Sequence, residues 1–298
     1  MAATGLPRPS ERDRIGGAPI CGDCLLKIAL IQMNSISDKS ANLLEARRLV
    51  GEVVAAERPD WICLPEVFDF MGGTRAEKLT AAEVFPQGEA YGLMRDLARE
   101  HGVYIHAGSM LERIPGEDRL GNTTVAFDRS GAEVARYRKI HMFDVTTPDG
   151  QDYRESATMK PGEDVVTYDC EGITIGCAIC YDLRFPAIFQ ALVARGAQII
   201  ALPSAFTMQT GKDHWEVLCR ARAIETQTYF AASAQTGQFQ QAGETRATYG
   251  HSMIVDPWGL VIARASDGPG FTSAHVDLAR IARLRAQIPV ARQKVALT

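Results

Sequence analysis

The chain has 298 residues, 46% of them apolar and 23% charged, which is enough for a large core in one big α/β domain or two small ones. A formal net charge of −4, with lysines and arginines scattered along the chain, leaves no basic footprint for nucleic acid. No apolar run approaches the roughly 18 residues of a membrane span, and seven cysteines without a repeating spacing do not make a disulfide framework, so a cytoplasmic, reducing compartment is expected.

Residues 1–24 are rich in Pro, Gly and Arg without apolar periodicity and read as a flexible N-terminal extension to a single domain spanning 25–298. The arginines of this extension allow a mitochondrial transit peptide, although Glu11 and Asp13 count against one. Cys21 and Cys24 form a C-x-x-C pair, but no second pair and no histidine at ligand spacing completes a zinc site.

From Lys27 onward, β-like runs alternate with helical patterns. Strands are expected at Lys27–Met33, Trp61–Leu64, Val103–Met110, Thr123–Asp128, Ile173–Ile179, Gln198–Leu202, Tyr229–Ala234, Ser252–Val255, Leu260–Ala265 and Ser273–Val276. Helical periodicity runs through Leu43, Ala46, Leu49, Val50, Val53 and Val54, then through Tyr91, Met94, Leu97 and Ala98 to a stop at His101-Gly102. Further helices are expected at Pro186–Arg195, Asp213–Gln227 and Asp277–Gln287. Gly121 to Tyr137 and His251 to Val276 read as hairpins turning at Ser130-Gly131 and Pro257-Trp258-Gly259. Mixed sheets of this size suit a four-layer α/β/β/α sandwich, while periodicity by itself also permits a single doubly wound sheet.

Most standard catalytic motifs are absent: there is no G-x-S-x-G elbow, H-E-x-x-H helix, Walker A loop or G-x-G-x-x-G turn. Three strand-end positions stand out instead. Cys180 ends the apolar run Ile173–Ile179, where a thiol is either a rigidly placed nucleophile or a small packing residue. Glu66 follows Trp61–Pro65 and reads as a partly desolvated general base or a solvated loop acid. Lys139, within Arg136–His141, points either inward or to a charged surface. Together they permit a mechanism in which Glu66 takes the thiol proton, while Lys139 and a backbone N–H after Cys180 stabilise the thiolate and the oxyanion.

Leu64-Pro65-Glu66, Tyr137-Arg138-Lys139-Ile140-His141 and Cys180-Tyr181-Asp182-Leu183-Arg184-Phe185-Pro186 resemble, in order, the signature segments of the nitrilase superfamily of carbon-nitrogen hydrolases. The resemblance implies an α/β/β/α sandwich, a Glu-Lys-Cys triad, no metal or organic cofactor, and homodimers or larger assemblies. Pro203–Phe206, His214–Leu218, Arg220–Gln227, Tyr249–Met253 and Asp256–Gly259 are similar to the Nit branch, which includes deaminated glutathione amidase and omega-amidase. Within that branch Glu155 matches a second glutamate that orients Lys139. Tyr181, Arg184, Phe206 and His214 either line the substrate site or serve structure.

The resemblance thus implies hydrolysis of a small amide through a cysteine thioester, with release of ammonia from a primary amide. Tyr181-Asp182 stands where true nitrilases carry Trp-Glu, which favours an amide over a nitrile. The alternatives are a nitrilase or N-carbamoyl-amine hydrolase on the same fold, or a catalytically silent binding or scaffold protein.

Overall fold

The computed structural model describes residues 25–147 and 150–295; the N-terminal extension and the Cys21/Cys24 pair lie outside them. β1 (Leu25–Gln32) sends Leu26, Ile28 and Leu30 into one core and Ala29 and Ile31 into another, the period-two pattern of a strand covered on both faces. It runs parallel to β2 (Trp61–Cys63) and antiparallel to β17 (Gly270–Asp277), and β2 in turn runs parallel to β3 (Tyr104–His106). β5 (Leu120–Phe127) pairs with β3, with β4 (Met110–Arg113) and with β6 (Glu133–Arg138), completing a seven-stranded sheet.

The second sheet has six strands in the order β16 (Val261–Arg264), β15 (Met253–Val255), β12 (Tyr229–Ala232), β11 (Ile199–Ala201), β10 (Ile173–Cys177) and β9 (Thr167–Cys170). Ile28, Leu30, Trp61 and Tyr137 of the first sheet share a buried cluster with Tyr168, Ile175, Cys177 and Ile199 of the second. Trp61 Nε1 donates to Tyr168 Oη across this layer at 2.7 Å, so the polar tips of two large side chains satisfy one another. On the outer face of the first sheet, α1 (Lys39–Glu57) and α3 (Glu89–His101) cover Ala29, Ile31, Ile62 and Ile105. On the second, α4 (Pro186–Ala194) and α5 (Met208–Thr226) bury Phe189, Leu192, Trp215 and Cys219. Each such side chain contributes on the order of 1.5–3 kcal/mol by leaving water. The result is the expected four-layer α/β/β/α sandwich.

Elements with weaker periodicity depart from the sequence reading. The run Val103–Met110 divides into β3 and β4, because Gly108 turns the chain at φ 47° and packs so close to Pro65 that a Cβ would strike its carbonyl oxygen. The run Ile173–Ile179 leaves the sheet after Cys177, and Cys180 opens a 3₁₀ turn, Cys180–Arg184. α5 starts five residues before Asp213, at Met208, capped by Thr207. Two ribbons have no strong apolar alternation to announce them: β7 (Asp144–Thr146) with β8 (Asp152–Arg154), and β13 (Thr236–Gln241) with β14 (Glu244–Tyr249). α2 (Arg75–Ala81), held by a Thr74/Glu77 capping box, buries no residue fully. At the C-terminal end, α6 (Leu278–Gln287) precedes the short α7 (Val290–Gln293). No helix among the described residues is long and apolar enough to cross a membrane.

Asp69, in the loop after Glu66, is fully buried; its Oδ1 has no partner among the described residues and its Oδ2 accepts from Leu111 N at 3.3 Å. Burial pushes its pKa up to about 7, with Lys39 opposing and Glu83 reinforcing the rise. A carboxyl raised above its unfolded value of about 4 binds its proton more tightly when folded, so its contribution to stability is lost as pH rises through 7. Asp69→Asn, which mimics the protonated acid, is expected to remove part of the fall in thermal midpoint between pH 5 and pH 8. Identical pH profiles for the two proteins would refute this.

Candidate active site

Two backbone turns face each other across the sandwich. Past β2 the chain turns at Val67, whose φ of 46° is costly for a β-branched residue. Val67 N donates to Ser109 Oγ at 2.9 Å, and Gln235 Nε2 donates to the Glu66 carbonyl at 2.9 Å, so the strained turn is fixed from both sides. Past β10, Cys180 also has φ 46°, with its N–H donated to Pro203 O at 2.9 Å. Short turns of this kind project a side chain from the rigid end of a strand into the space beyond the sheet.

Lys139, just after β6, enters that space almost fully buried, at 2% exposure. Its Nζ donates to Glu66 Oε1 at 3.0 Å and to Glu155 Oε1 and Oε2 at 3.0 and 2.8 Å. Burial by itself would depress its pKa, but Glu155, Glu66 and the neighbouring Cys180 outweigh it and hold the ammonium well above its ordinary range. Glu155, at the start of a 3₁₀ turn after β8, also accepts from Phe143 N at 2.7 Å. Asn122 Nδ2 donates to Glu66 Oε1 at 2.8 Å and to Glu155 Oε1 at 3.2 Å, tying the two carboxylates together.

The Cys180 thiol shares one cavity with Glu66, Lys139 and Ala205. Burial raises its pKa well above that of a free thiol, the Glu66 charge adds to the rise, and Lys139 and the Ala205 amide oppose it. At rest the group is therefore a thiol beside a carboxylate able to accept its proton and an ammonium able to stabilise developing negative charge. Such a set can perform nucleophilic attack on an acyl carbon with general acid–base assistance.

The turn carrying Cys180 is locked to the segment carrying Lys139 by Asp182, which is completely buried. Its Oδ2 accepts from Ile179 N at 2.8 Å and from Tyr137 Oη at 2.6 Å, and its Oδ1 from His141 N at 3.1 Å, with His141 Nδ1 2.7 Å away. Asp182 and Asn122 were not singled out by sequence reasoning as site residues. Asn122 lies in β5, a strand buried along its whole length, where an amide side chain must find partners.

A cavity of about 220 Å³ opens over these groups, lined among others by Glu66, Asn122, Lys139, Glu155 and Cys180. Tyr181, Arg184 and Phe206 also line it, and the Arg184 guanidinium lies 6.0 Å from the Tyr181 ring centre and 5.6 Å from that of Phe206. His214 is not among the lining residues; its Nδ1 lies 3.3 Å from Arg184 Nη2, so it touches the cavity only through Arg184. Among the described residues no group of three or more His, Cys, Asp or Glu is arranged to hold a metal ion.

The carbon-nitrogen hydrolase family model matches residues 27–286. The chain is 42% identical over 270 residues to the deaminated glutathione amidase of Mus musculus, covering 88% of this chain and 81% of that protein. It is 37% identical over 271 residues to an omega-amidase of Mus musculus, covering 90% and 94% respectively. The solved structure of Nit3 from Saccharomyces cerevisiae, a member of branch 10 of the nitrilase superfamily, superposes with a TM-score of 0.81 at 29% identity, covering 90% of this chain and 96% of that one.

The geometry around Asp182 makes a direct prediction. Asp182→Ala would strand buried donors on Tyr137 and Ile179, at about 1–3 kcal/mol for each unsatisfied group. Urea unfolding should show a loss of that order, and alkylation of Cys180 by iodoacetamide should change rate. Unchanged stability would mean that the carboxylate does not hold the two segments together.

Proposed function

The chain belongs to the carbon-nitrogen hydrolase family, and from that premise we propose that it hydrolyses the amide of a small carboxylate-bearing acid, with Cys180 as nucleophile. The observation that carries this reading is the convergence of Cys180, Glu66 and Lys139 at the end of one cavity. Cys180 transfers its proton to Glu66 as sulfur attacks the amide carbon, and charge moves to the carbonyl oxygen. Lys139 and the Tyr181 N–H, at the start of the 3₁₀ turn where amides lack partners within the turn, receive that charge. Protonated Glu66 then gives its proton to the departing nitrogen, leaving a thioester on Cys180. Water attacks the thioester, Glu66 accepts its proton, and the proton returns to sulfur as the acid leaves. Glu155 acts through Lys139 by holding the ammonium in place.

The amidases named above point to the acyl group. An omega-amide loses ammonia, as expected for a primary amide; an amide within a glutathione skeleton is of peptide type and loses an amine instead. The chemistry at Cys180 is the same for both, so the leaving group of this chain's substrate need not be ammonia. Arg184, on the same turn as Cys180 and without a carboxylate partner among the described residues, suits the free carboxylate of the acyl half.

The same reading takes residues 25–298 as one catalytic domain in a reducing cytoplasm, supported by five described cysteines that are all unpaired. It also takes the protein as a homo-oligomer. Val217, Ile224, Trp258 and Leu260 are exposed apolar residues, and Gly259 packs against Ile224, so α5 and the β15–β16 turn share one apolar surface. Val217→Asp is expected to shift sedimentation toward the monomer, and unchanged sedimentation would exclude this face.

Ammonia and amine release from a panel of dicarboxylate monoamides tests the catalytic reading. Cys180→Ala should remove turnover without loss of folding, and Glu66→Gln should lower single-turnover rates by about two to four orders of magnitude, the usual weight of a general base. Release at the wild-type rate by Cys180→Ala would sink the mechanism.

A further inference from the structure

Two ribbons wall the cavity without belonging to either main sheet, β7–β8 and β13–β14. The second is fixed at two points. Near its turn, Gly73 N donates to Gln240 O at 2.9 Å, and at its open end Tyr249 N donates to Phe206 O at 3.0 Å, in the same segment as Pro203, whose carbonyl holds the Cys180 turn. Glu155 follows β8 directly, so the placement of the first ribbon decides where that carboxylate stands.

Arg246, on β14, reaches from the second ribbon to the first. Its Nη2 donates to Asp152 O on β8 at 3.4 Å and to Glu244 Oε2 at 3.1 Å, and its guanidinium lies 4.4 Å from the Tyr153 ring centre. Tyr153 packs in turn on Phe143, with ring centres 5.0 Å apart, and Phe143 N donates to Glu155 Oε2 at 2.7 Å. Contacts thus run without a break from Arg246 through Tyr153 and Phe143 to Glu155, and from there to Lys139 Nζ at 2.8 Å. Arg246 is only 9% exposed and is not among the residues that line the cavity. Its Nε and Nη1 are buried without a partner among the described residues, and Glu244, its acid partner there, is mostly exposed. A guanidinium buried with so little compensation lowers stability, where an apolar side chain of similar volume would fill the space at less cost. Packing does not account for such a residue, and a role at the neighbouring site does.

We propose that Arg246 is a positioning residue, which clamps the β7–β8 ribbon through Tyr153 and so keeps Glu155 against Lys139. The inference rests on the amidase reading above, in which Lys139 receives the charge that develops on the carbonyl oxygen. A planar guanidinium suits the task, because contact with a ring face and donation to a backbone carbonyl together fix both the height and the direction of the strand beneath. Without the clamp, Glu155 moves with β8, and a misplacement of about 1 Å can cost about a hundredfold in rate. The charged and titratable groups that face Lys139 are Glu66 from the end of β2, Glu155 from the end of β8 and Cys180 from the turn after β10. Losing Glu155 from that set removes a carboxylate that favours the ammonium, so the ammonium gives up its proton at a lower pH.

Arg246→Met fills the same space without the charge, and glutaric acid monoamide serves as the probe with the full chain. The variant should keep or raise its thermal midpoint, while kcat falls roughly tenfold to a hundredfold and KM stays within about twofold. The alkaline limb of its kcat profile should move to lower pH. Arg246→Lys, which keeps a cation within reach of the Tyr153 ring, should recover most of kcat. Tyr153→Leu breaks the same path, so adding Arg246→Met to it should lower kcat little further. Wild-type kcat in Arg246→Met, a rise in KM alone, a fall in kcat matched by loss of folding, or additive effects of the two substitutions would each overturn the clamp. A crystal structure of Arg246→Met gives the answer without turnover: Glu155 should have left hydrogen-bond reach of Lys139, and an unmoved Glu155 would refute the proposal. A wild-type chain that releases no ammonia from any dicarboxylate monoamide would count against the amidase reading, whereas the Glu155–Lys139 distance in the variant decides on Arg246 alone.

Discussion

A buried ammonium is the constraint on which the site depends. An isolated Lys139 would cost several kcal/mol in desolvation and would shed its proton. Two carboxylates, Glu66 and Glu155, hold it charged. Those three groups sum to a single negative charge, since two acids face one base. A free thiolate at Cys180 would add another in the same poorly solvated space, which is why burial and Glu66 both raise that thiol. Moving the proton from sulfur to Glu66 leaves the total unchanged. In the proposed mechanism the thiolate therefore forms as an internal exchange at the moment it is needed, while the resting thiol stays protonated and protected from adventitious oxidation.

Such an arrangement works only if the partners cannot drift, and the sandwich supplies that rigidity by bringing strand ends from two sheets together. Glu66 comes from the end of β2 and Cys180 from the end of β10, each beyond a turn that adopts a left-handed backbone conformation. Conformations of this kind cost about 1–3 kcal/mol each and persist when neighbours over-determine them. Ser109 and Gln235 do so for the first turn, Pro203 and Asp182 for the second. Asp182 has the further effect of joining the turn that carries Cys180 to Tyr137 and His141, the residues flanking Lys139. The order of the core therefore reaches Glu66, Lys139 and Cys180 through a few hydrogen bonds.

What the sequence disclosed follows the same physics. Long apolar runs such as Ile173–Cys177 and the helical face through Leu49, Val50 and Val53 were legible because burial imposes a period on them. Glu66, Lys139 and Cys180 were legible because each follows a strand and together they complete one chemistry. Asn122 and Asp182 were not, since what marks them is a set of partners distant in sequence: Glu66 and Glu155 for one, Tyr137 and His141 for the other. The ribbons β7–β8 and β13–β14 escaped for a related reason. They wall a cavity instead of filling a core, and residues such as Tyr153 and Phe239 carry no periodic signal.

The charge of the reacting end also bears on how a substrate enters. A dicarboxylic monoamide of the kind proposed above would present one neutral end and one anionic end to the cavity. In that proposed reading the net negative charge around Glu66 and Glu155 would repel the carboxylate and tolerate the amide, while Arg184, against Tyr181 and Phe206, would attract the carboxylate. Orientation thus comes from repulsion at one end as much as attraction at the other. The same repulsion acts after hydrolysis, when the amide has become a second carboxylate beside Glu66. On the proposed reaction, a product that is electrostatically disfavoured where its substrate was tolerated would leave readily, so the excess acid around Lys139 would serve both the entry of the amide and the departure of the acid.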